Sequence, residues 1–268
     1  MFQYQDNIRS TPSGKCFYYI LLTVASIALL SSVAYATPIL SPTCGTGSGN
    51  IPDATVDGLG NTTPGVLSCG VLVNIAGTIA AGNSVTVSLL GFRHESSGDI
   101  GISLTHYTDA TKTVILGGPQ WLIYRIGKMS NDPNDFGYSA QFGDPVGTGD
   151  NYDFGSAFST NLWTVAASLG TADFIPGQGG GFVTGYTTTG PLSATPNSFS
   201  SMFAGQSLSG YWQLDIIDYA AGPSFIPVDG SLLQWGLNVT SLLNVPEPGY
   251  GLGVFSALCI LLGRRRRI

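Results

Sequence analysis

The sequence predicts an all-β protein, a jelly-roll-like β-sandwich with a signal peptide before it and a short transmembrane helix after it. Two observations lead to the sandwich. Short stretches of alternating apolar and polar residues recur between clusters of turn-forming residues, a pattern typical of half-buried strands. Outside the two ends of the chain, no stretch of the 268 residues keeps the 3.6-residue apolar period of an amphipathic helix.

Four stretches carry the strand pattern. In the first of them, Val85, Val87 and Leu89 lie at alternate positions with Thr and Ser between them. Glycine, proline and Asp-Gly pairs separate the stretches, and these residues favour turns. The same alternation recurs in residues 100–104, 212–216 and 233–239. Short strands with turns between them favour a sandwich.

The charge balance excludes a nucleic-acid-binding protein. Residues 37–245 contain four basic and fourteen acidic residues, and 4 − 14 gives −10. A protein that binds DNA or RNA needs a basic surface to displace counterions from the phosphates. The apolar and aromatic content is high enough to bury a core, which also excludes a disordered acidic tail.

The amino-terminal end is typical of a secretory signal peptide. Arg9 and Lys15 supply the positive charge at its start, and residues 16–33 contain no charged residue. Ala34 and Ala36 place small residues at the two positions that signal peptidase recognises, so we predict cleavage after Ala36. An uncleaved membrane anchor is the alternative, because the apolar run is long enough to span a bilayer.

The carboxyl-terminal end has three parts. A Pro-Glu-Pro motif is followed by an apolar stretch over residues 250–262 and then by four arginines. An arginine cluster stays on the cytoplasmic side of a membrane, which places the preceding domain on the far side. A helix of about fifteen residues reaches about 22 Å, less than the hydrocarbon core of about 30 Å. Such a weak span suits temporary retention, and an ordinary tail anchor is the alternative. The residues concerned are Pro246, Glu247 and Pro248 in the motif and Arg264, Arg265, Arg266 and Arg267 in the membrane stop.

This arrangement resembles the PEP-CTERM sorting signal of Gram-negative bacteria. The resemblance covers about the last 24 residues, from 245 to 268. It implies handling by an exosortase, a membrane-embedded cysteine peptidase that cuts near the motif and for which this chain is a substrate. It also implies transient anchoring in the inner membrane, followed by transfer to the cell surface, the outer membrane or an exopolysaccharide matrix.

Cysteine usage agrees with export. Cys44 and Cys69 are the only cysteines between the two terminal apolar stretches. Two thiols in an oxidising compartment usually pair, and closing a loop of about 25 residues stabilises the fold by about 3 kcal/mol. A metal pair is the alternative, but the sequence has no further Cys or nearby His to complete a zinc site. We predict a disulfide between Cys44 and Cys69.

Two blocks of the predicted sandwich resemble the P (Homo B) domain that follows the catalytic domain of subtilisin-like proprotein convertases. The first block contains His94 and Asp99. The second contains a strand with Trp212, a turn led by Asp218, a glycine and a second strand with Trp235. The resemblance implies a jelly roll in which the two tryptophans fill the core from adjacent strands and Asp218 caps the turn. It also implies an accessory role beside a separate protease.

The sequence contains no recognised catalytic motif, so we predict that the protein is not an enzyme. Two histidines, His94 and His106, lie between the terminal segments. The position of His94 in the resemblance indicates a structural hydrogen bond. His106 is predicted to lie on a surface loop.

Calcium is the one ion that the pattern favours, and no other cofactor is predicted. Several aspartates lie in a glycine-rich stretch, and Ca²⁺ binds several oxygen ligands on bent loops. The spacing does not match an EF-hand, and aspartate also favours turns that hold no metal. The candidate ligands are Asp132, Asp135, Asp150 and Asp153.

The folded part is predicted to have a structural or adhesive role at the cell surface or in the matrix. One alternative is a carbohydrate-binding module for exopolysaccharide, and the other is an accessory domain for a secreted subtilisin-like protease. Loop aromatics are the sugar-stacking candidates in the first alternative: Tyr138, Phe142, Tyr152, Phe154 and Tyr186. The predicted division of the chain is a signal peptide over 1–36, a Gly/Pro-rich lead segment over 37–83, the sandwich over 84–241 with a long loop or flap at 176–200, and the sorting signal over 245–268.

Overall fold

The structure, a computed structural model, confirms the all-β prediction. The part of the chain that it describes contains sixteen strands, one six-residue α-helix and one 3₁₀ helix. It describes residues 34–41, 44, 49–82, 84–132, 135–143, 147, 149–171, 173–177, 185–221 and 230–242.

The elements are numbered in chain order. The strands are β1 (Ala34–Ser41), β2 (Asn50–Ile51), β3 (Thr55–Val56), β4 (Thr62–Thr63), β5 (Gly65–Val73), β6 (Thr78–Ile79), β7 (Val85–His94), β8 (Ile100–Tyr107), β9 (Ile115–Tyr124), β10 (Gln141–Phe142), β11 (Asp150–Gly155), β12 (Phe174–Ile175), β13 (Gly185–Tyr186), β14 (Gly210–Asp218), β15 (Gly230–Ser231) and β16 (Gln234–Leu242). The helices are α1 (Leu162–Ala167) and the 3₁₀ helix (Phe199–Met202).

A large sheet is built around β7. Strand β16 pairs with β7 on one side and β11 pairs with it on the other, both antiparallel. At the carboxyl end of β7, β15 and β10 each add a short antiparallel pairing. Strand β1 pairs with the outer edge of β16 from Trp235 to Leu242.

A second, four-stranded sheet has the order β5–β14–β8–β9, and all of its neighbours are antiparallel. Strand β14 pairs with β5 from Gly210 to Asp218 without a break in register. A regular register fixes which side chains share a face, because successive residues of a strand point to opposite faces.

The two sheets direct alternate residues into one shared core. Val85, Val87 and Leu89 of β7 are fully buried, as the alternation predicts, and so are Trp212 and Trp235. All five belong to a single cluster of contacting buried side chains. The tryptophans lie in opposite sheets, Trp212 in β14 and Trp235 in β16, and not in adjacent strands as the family resemblance implied.

The sandwich begins earlier in the chain than residue 84. Strand β5 is an edge strand of the four-stranded sheet, and β1 is paired in the large sheet. One compact unit accordingly extends from Ala34 to Leu242. Gly and Pro obscured β5 and β1 in the sequence, because edge strands tolerate these residues better than central strands do.

The described part of the predicted loop at 176–200 is packed against the sandwich. Strand β13 pairs with β11, and the Tyr186 hydroxyl donates a hydrogen bond of 2.6 Å to the Pro176 carbonyl. Thr188 and Thr189 are fully buried. Residues 185–200 therefore do not form a flexible flap, and residues 178–184 lie outside the described part.

No helix among the described residues is long and apolar enough to cross a membrane. The predicted span over 250–262, the Pro-Glu-Pro motif and the arginine cluster all lie outside the described residues. These three predictions stay predictions.

Candidate functional site

A cleft of about 390 Å³ opens where β7, β8 and β14 meet. His94 is the last residue of β7 and Asp218 is the last residue of β14. Asp99 directly precedes β8. The antiparallel pairing of β14 with β8 brings Asp218 opposite Ile100, so the three titratable side chains converge at one end of the sandwich. Glu95, Ser96 and the aromatic residues Phe136 and Tyr138 also line the cleft.

His94 and Asp218 form a buried ion pair. Their Nε2 and Oδ2 atoms lie 3.4 Å apart, and each side chain is only 1% exposed. The other ring nitrogen, Nδ1, lies 2.9 Å from the Ser96 carbonyl oxygen. The Ser96 amide nitrogen lies 3.3 Å from the same ring nitrogen, so the group that favours a protonated His94 is the Asp218 carboxylate at Nε2.

The electrostatics of the cleft agree with a charged His94. Burial alone would lower the pKa of His94, but the hydrogen bond and the charge of Asp218 raise it above the ordinary value. Burial raises the pKa of Asp99, while the hydrogen bond from Ser96 and the charge of His94 oppose that shift. The cleft is therefore lined by acidic side chains, and His94 supplies a positive charge among them.

The geometry assigns His94 a structural role. A general base needs a ring nitrogen that faces the substrate, and both nitrogens of His94 already face acceptors within the protein. Asp218 also fixes the chain after β14, because its Oδ1 accepts a hydrogen bond of 3.1 Å from the Ala220 amide. This is the turn-capping role that the resemblance implied.

His106 lies in the core, and the prediction of a surface loop was wrong. It is the seventh residue of β8 and is fully buried. Its ring stacks on Trp212 with a centroid distance of 3.9 Å, and its Nδ1 donates to the Gln206 side chain at 3.0 Å. Burial lowers the pKa of His106, against the opposing hydrogen bond with Gln206. The alternation that starts at Ile100 simply continues to position 106, beyond the predicted strand end.

Two of the four candidate calcium ligands, Asp132 and Asp135, lie on the loop after β9. The ammonium group of Lys128 is hydrogen-bonded within this loop. Lys128 is 5% exposed, and its Nζ donates hydrogen bonds of 2.7 Å to the carbonyl oxygens of Asp132 and Asp135. The Asp135 carboxylate accepts hydrogen bonds from the amides of Met129 and Ser130. Burial alone would raise the pKa of Asp135, but these amides lower it. The lysine thus supplies a cation to the carbonyl oxygens of this loop.

The other two candidate ligands, Asp150 and Asp153, lie on β11. Asp150 accepts a hydrogen bond from the Asn151 amide at 2.7 Å, and Asp153 pairs with Ser88 in register. In the described ranges, no group of three or more His, Cys, Asp or Glu side chains is arranged to hold a metal ion. Calcium binding stays a prediction.

The predicted disulfide is confirmed. Cys44 and Cys69 are bonded, their Cα atoms lie 4.6 Å apart, and both side chains are buried. Cys69 lies in the middle of β5, so the bond ties the lead segment to the four-stranded sheet.

Replacing both cysteines by alanine is expected to lower the free energy of unfolding by about 3 kcal/mol, because the bond closes a loop of 25 residues in the unfolded chain. Urea unfolding followed by tryptophan fluorescence measures this loss. A reducing agent should destabilise the wild type by a similar amount and leave the double variant unchanged. Two alkylatable thiols in the untreated native protein would contradict the bond.

The predicted signal cleavage position lies within β1. Ala34 and Ala36 pair with Leu242 and Thr240 of β16. Cleavage after Ala36 would leave residues 37–41 paired with residues 235–239. The strand would therefore survive such a cleavage in shortened form.

The loop aromatics proposed for sugar stacking belong largely to the core. Phe142, Tyr152 and Phe154 are fully buried and Tyr186 is 1% exposed. They pack on one another, with the rings of Phe142 and Tyr152 perpendicular at 5.3 Å. Strand β11 buries alternate residues against β7, a pairing that the glycine-rich sequence around it did not reveal.

Comparison with known proteins gives two remote structural similarities. No family model matches the chain, and no curated protein matches it. The structure of the Aeromonas sobria serine protease is similar at 18% identity and a TM-score of 0.29, over 78% of this chain and 27% of that chain. The complex of this protease with its chaperone gives 16% identity and a TM-score of 0.30, over 81% of this chain and 29% of that chain. This chain spans less than a third of the proteases it resembles, and the likeness does not establish a shared fold.

Proposed function

We propose that this chain is an exported protein that signal peptidase and an exosortase process at its two ends. Its folded part then works at the cell surface or in the extracellular matrix as a non-catalytic, jelly-roll-like sandwich with a structural or adhesive role. The observation that carries the proposal is the disulfide between Cys44 and Cys69.

The disulfide supports export because of where such bonds persist. The bacterial cytosol keeps thiols reduced, whereas disulfides form and persist in the periplasm and outside the cell. Both cysteines lie between the two predicted processing sites, so the mature protein keeps the bond. The bond also lies deep in the sandwich, where both side chains are at most 2% exposed.

Two further features support a P-like, non-catalytic module. Asp218 caps the turn after the Trp212 strand, as the family resemblance implies. Neither histidine of the sandwich presents a ring nitrogen to a nucleophile: His94 faces Asp218 and Ser96, and His106 is stacked inside the core. The accessory-domain alternative predicts that a protease copurifies with the native protein.

Mass spectrometry of the protein recovered from its native cell surface tests the proposal. We expect an amino terminus at Thr37, a carboxyl terminus near Pro246 to Pro248, and a disulfide-bonded pair of cysteines. A Glu247→Ala variant should keep its tail and remain with the membrane, while a Glu95→Ala variant should be processed normally. A native product that retains the last twenty residues, or that is found in the cytosol, would overturn the proposal.

A further inference from the structure

The outer face of the four-stranded sheet carries a polar centre between two aromatic groups. The register places Tyr211 of β14 between Leu72 and Tyr107 at one end of this face. At the other end, Ile217 lies between Val66 and Gly101, with Tyr124 of β9 beside them. The two ends are six positions apart on β8, a separation of about 20 Å.

The first aromatic group is the pair Tyr107 and Tyr211. The rings of Tyr107 and Tyr211 are tilted, with centroids 6.5 Å apart. The end of the Tyr211 ring occupies the space that a Cβ at Gly70 would fill. Glycine at position 70 thus lets the hydroxyl end of the ring lie against the sheet. Lys112 Nζ lies over the same ring, 5.4 Å from its centroid, and a bound sugar would take the place of this flexible side chain.

The second aromatic group is a cluster of three half-buried rings. Trp121 and Tyr124 meet edge to face at 4.8 Å, and Tyr124 and Tyr219 do so at 5.4 Å. Their edges cover Gly101, where a Cβ would approach Trp121 to 2.9 Å. The Arg125 guanidinium lies 5.4 Å from the Tyr219 ring and holds it from one side.

The polar centre between these groups is fixed by its own hydrogen bonds. Gln213 Nε2 donates to both carboxylate oxygens of Asp215, at 2.7 and 2.9 Å, and the Ser68 hydroxyl donates to Asp215 at 2.6 Å. These contacts fix the orientation of the Gln213 amide. Gln213 is only 8% exposed, and its Oε1 has no hydrogen-bond partner among the described residues. Ser103 and Thr105 of β8 flank this pair in register.

We propose that this face binds an uncharged polysaccharide, with sugar rings packed on both aromatic groups and hydroxyls bonded to the polar centre. The apolar C–H faces of a sugar ring fit the negative faces of aromatic rings. The Asp215 carboxylate supplies acceptors for sugar hydroxyls, and the buried Gln213 amide fixes its orientation. The inference rests on the proposed surface role for its biological setting.

The charges of the face decide between possible occupants. Asp215 lies at its centre and Lys112 and Arg125 lie at its two ends, so the face carries nearly balanced charge and fits an uncharged ligand. Across residues 37–245, fourteen acidic residues against four basic ones disfavour an anionic polysaccharide. A second copy of the chain is also disfavoured. In a two-fold symmetric pairing of this face, Asp215 would be buried against the Asp215 of its mate.

Binding is tested on the full chain, solubilised in a zwitterionic detergent because the head groups of sugar detergents would compete. The probes are glucomannan, xyloglucan, mixed-linkage β-glucan and dextran, with alginate as the anionic control. We expect isothermal titration calorimetry to show binding of at least one uncharged probe and no binding of alginate. Trp121→Ala and Tyr211→Ala should each weaken that binding about tenfold or more.

A matched set of variants separates binding from folding. Gly70→Ala keeps every aromatic ring but displaces Tyr211, and it should weaken binding at an unchanged melting temperature. Phe174→Ala removes a ring that is 49% exposed on the large sheet, and it should bind as the wild type does.

The inference would be overturned if the protein showed a native circular dichroism spectrum but bound none of the four uncharged probes. The inference would also be overturned if Gly70→Ala and Trp121→Ala bound as tightly as the wild type. It would be overturned as well if the wild type self-associated and these variants did not. The processing test does not depend on Tyr211 or Trp121, so failure of export and failure of binding are seen separately.

Discussion

Trp212→Ala is expected to lower the free energy of unfolding by about 3 to 5 kcal/mol, the range for truncating a fully buried aromatic side chain. The indole is held between the His106 ring at 3.9 Å and the Phe203 ring at 5.2 Å. Its Nε1 donates to the Leu208 carbonyl at 3.2 Å. Truncation therefore leaves a cavity and an unpaired buried carbonyl at the same place. Because a domain of this size is stable by only about 5 to 15 kcal/mol, the variant should unfold at much lower urea concentration.

Trp121→Ala provides the matched control for this experiment. The same side chain is removed, but from the half-buried outer face of the four-stranded sheet, where solvent fills the space. A loss of about 1 kcal/mol is expected there, since half-exposed apolar area contributes less. Equal losses in the two variants would contradict the placement of Trp212 in the core. The measurement is the urea concentration at the midpoint of unfolding for each variant. The two midpoints can be compared if the free energy of unfolding falls with urea concentration at the same slope in both.

Asp218→Ala is expected to cost about 3 to 5 kcal/mol at pH 6, because it leaves a buried histidine without its counter-charge. In the wild type His94 and Asp218 are each 1% exposed, so their charges face each other with little contact to water. Glu95→Ala is the control, since it removes the same charge from the same cleft without breaking the pair. Its cost should stay below about 1 kcal/mol.

The pH dependence of this cost has a definite sign. The folded pKa of His94 lies above 6.5, its value in the unfolded chain. The pair therefore contributes its full stability below about pH 6.5 and loses it as pH rises through the folded pKa. In Asp218→Ala the effect of burial is opposed only by the hydrogen bond with Ser96 and the charge of Asp99, so the pKa of His94 is lower than in the wild type. The difference in stability between wild type and variant should shrink from pH 6 to pH 9. A difference that stays constant over this range would contradict an ionised pair.

The strands of the core could be predicted from the sequence because their evidence is local. Val85, Val87 and Leu89 alternate with polar residues, and this period alone determines which side chains face inward. The same reasoning located the strands of Trp212 and Trp235 but not the sheet to which each belongs. Sheet membership depends on pairing between residues that are far apart in sequence, as when β14 pairs with β5.

The candidate sites were harder to predict because each depends on such distant pairing. The burial of Lys128 depends on carbonyl oxygens that the loop turns inward, and a single lysine in a sequence gives no sign of this. Tyr107 and Tyr211 share a face only because β8 and β14 pair in one register. The pair of His94 with Asp218 joins residues 124 positions apart (218 − 94). In each case the sequence shows the residue type, but it does not show which distant residue the fold places beside it.

The pairing of β1 with β16 has a consequence for the order in which an exported chain folds. Strand β16 lies between β1 and β7, yet among the described strands it is the last to be synthesised. The large sheet stays open until residue 242 has emerged, and contacts of such long sequence separation form slowly. Under the proposed export, the large sheet would therefore close only after residue 242 has crossed the membrane. A chain truncated before β16 would lack the strand that joins β1 to β7.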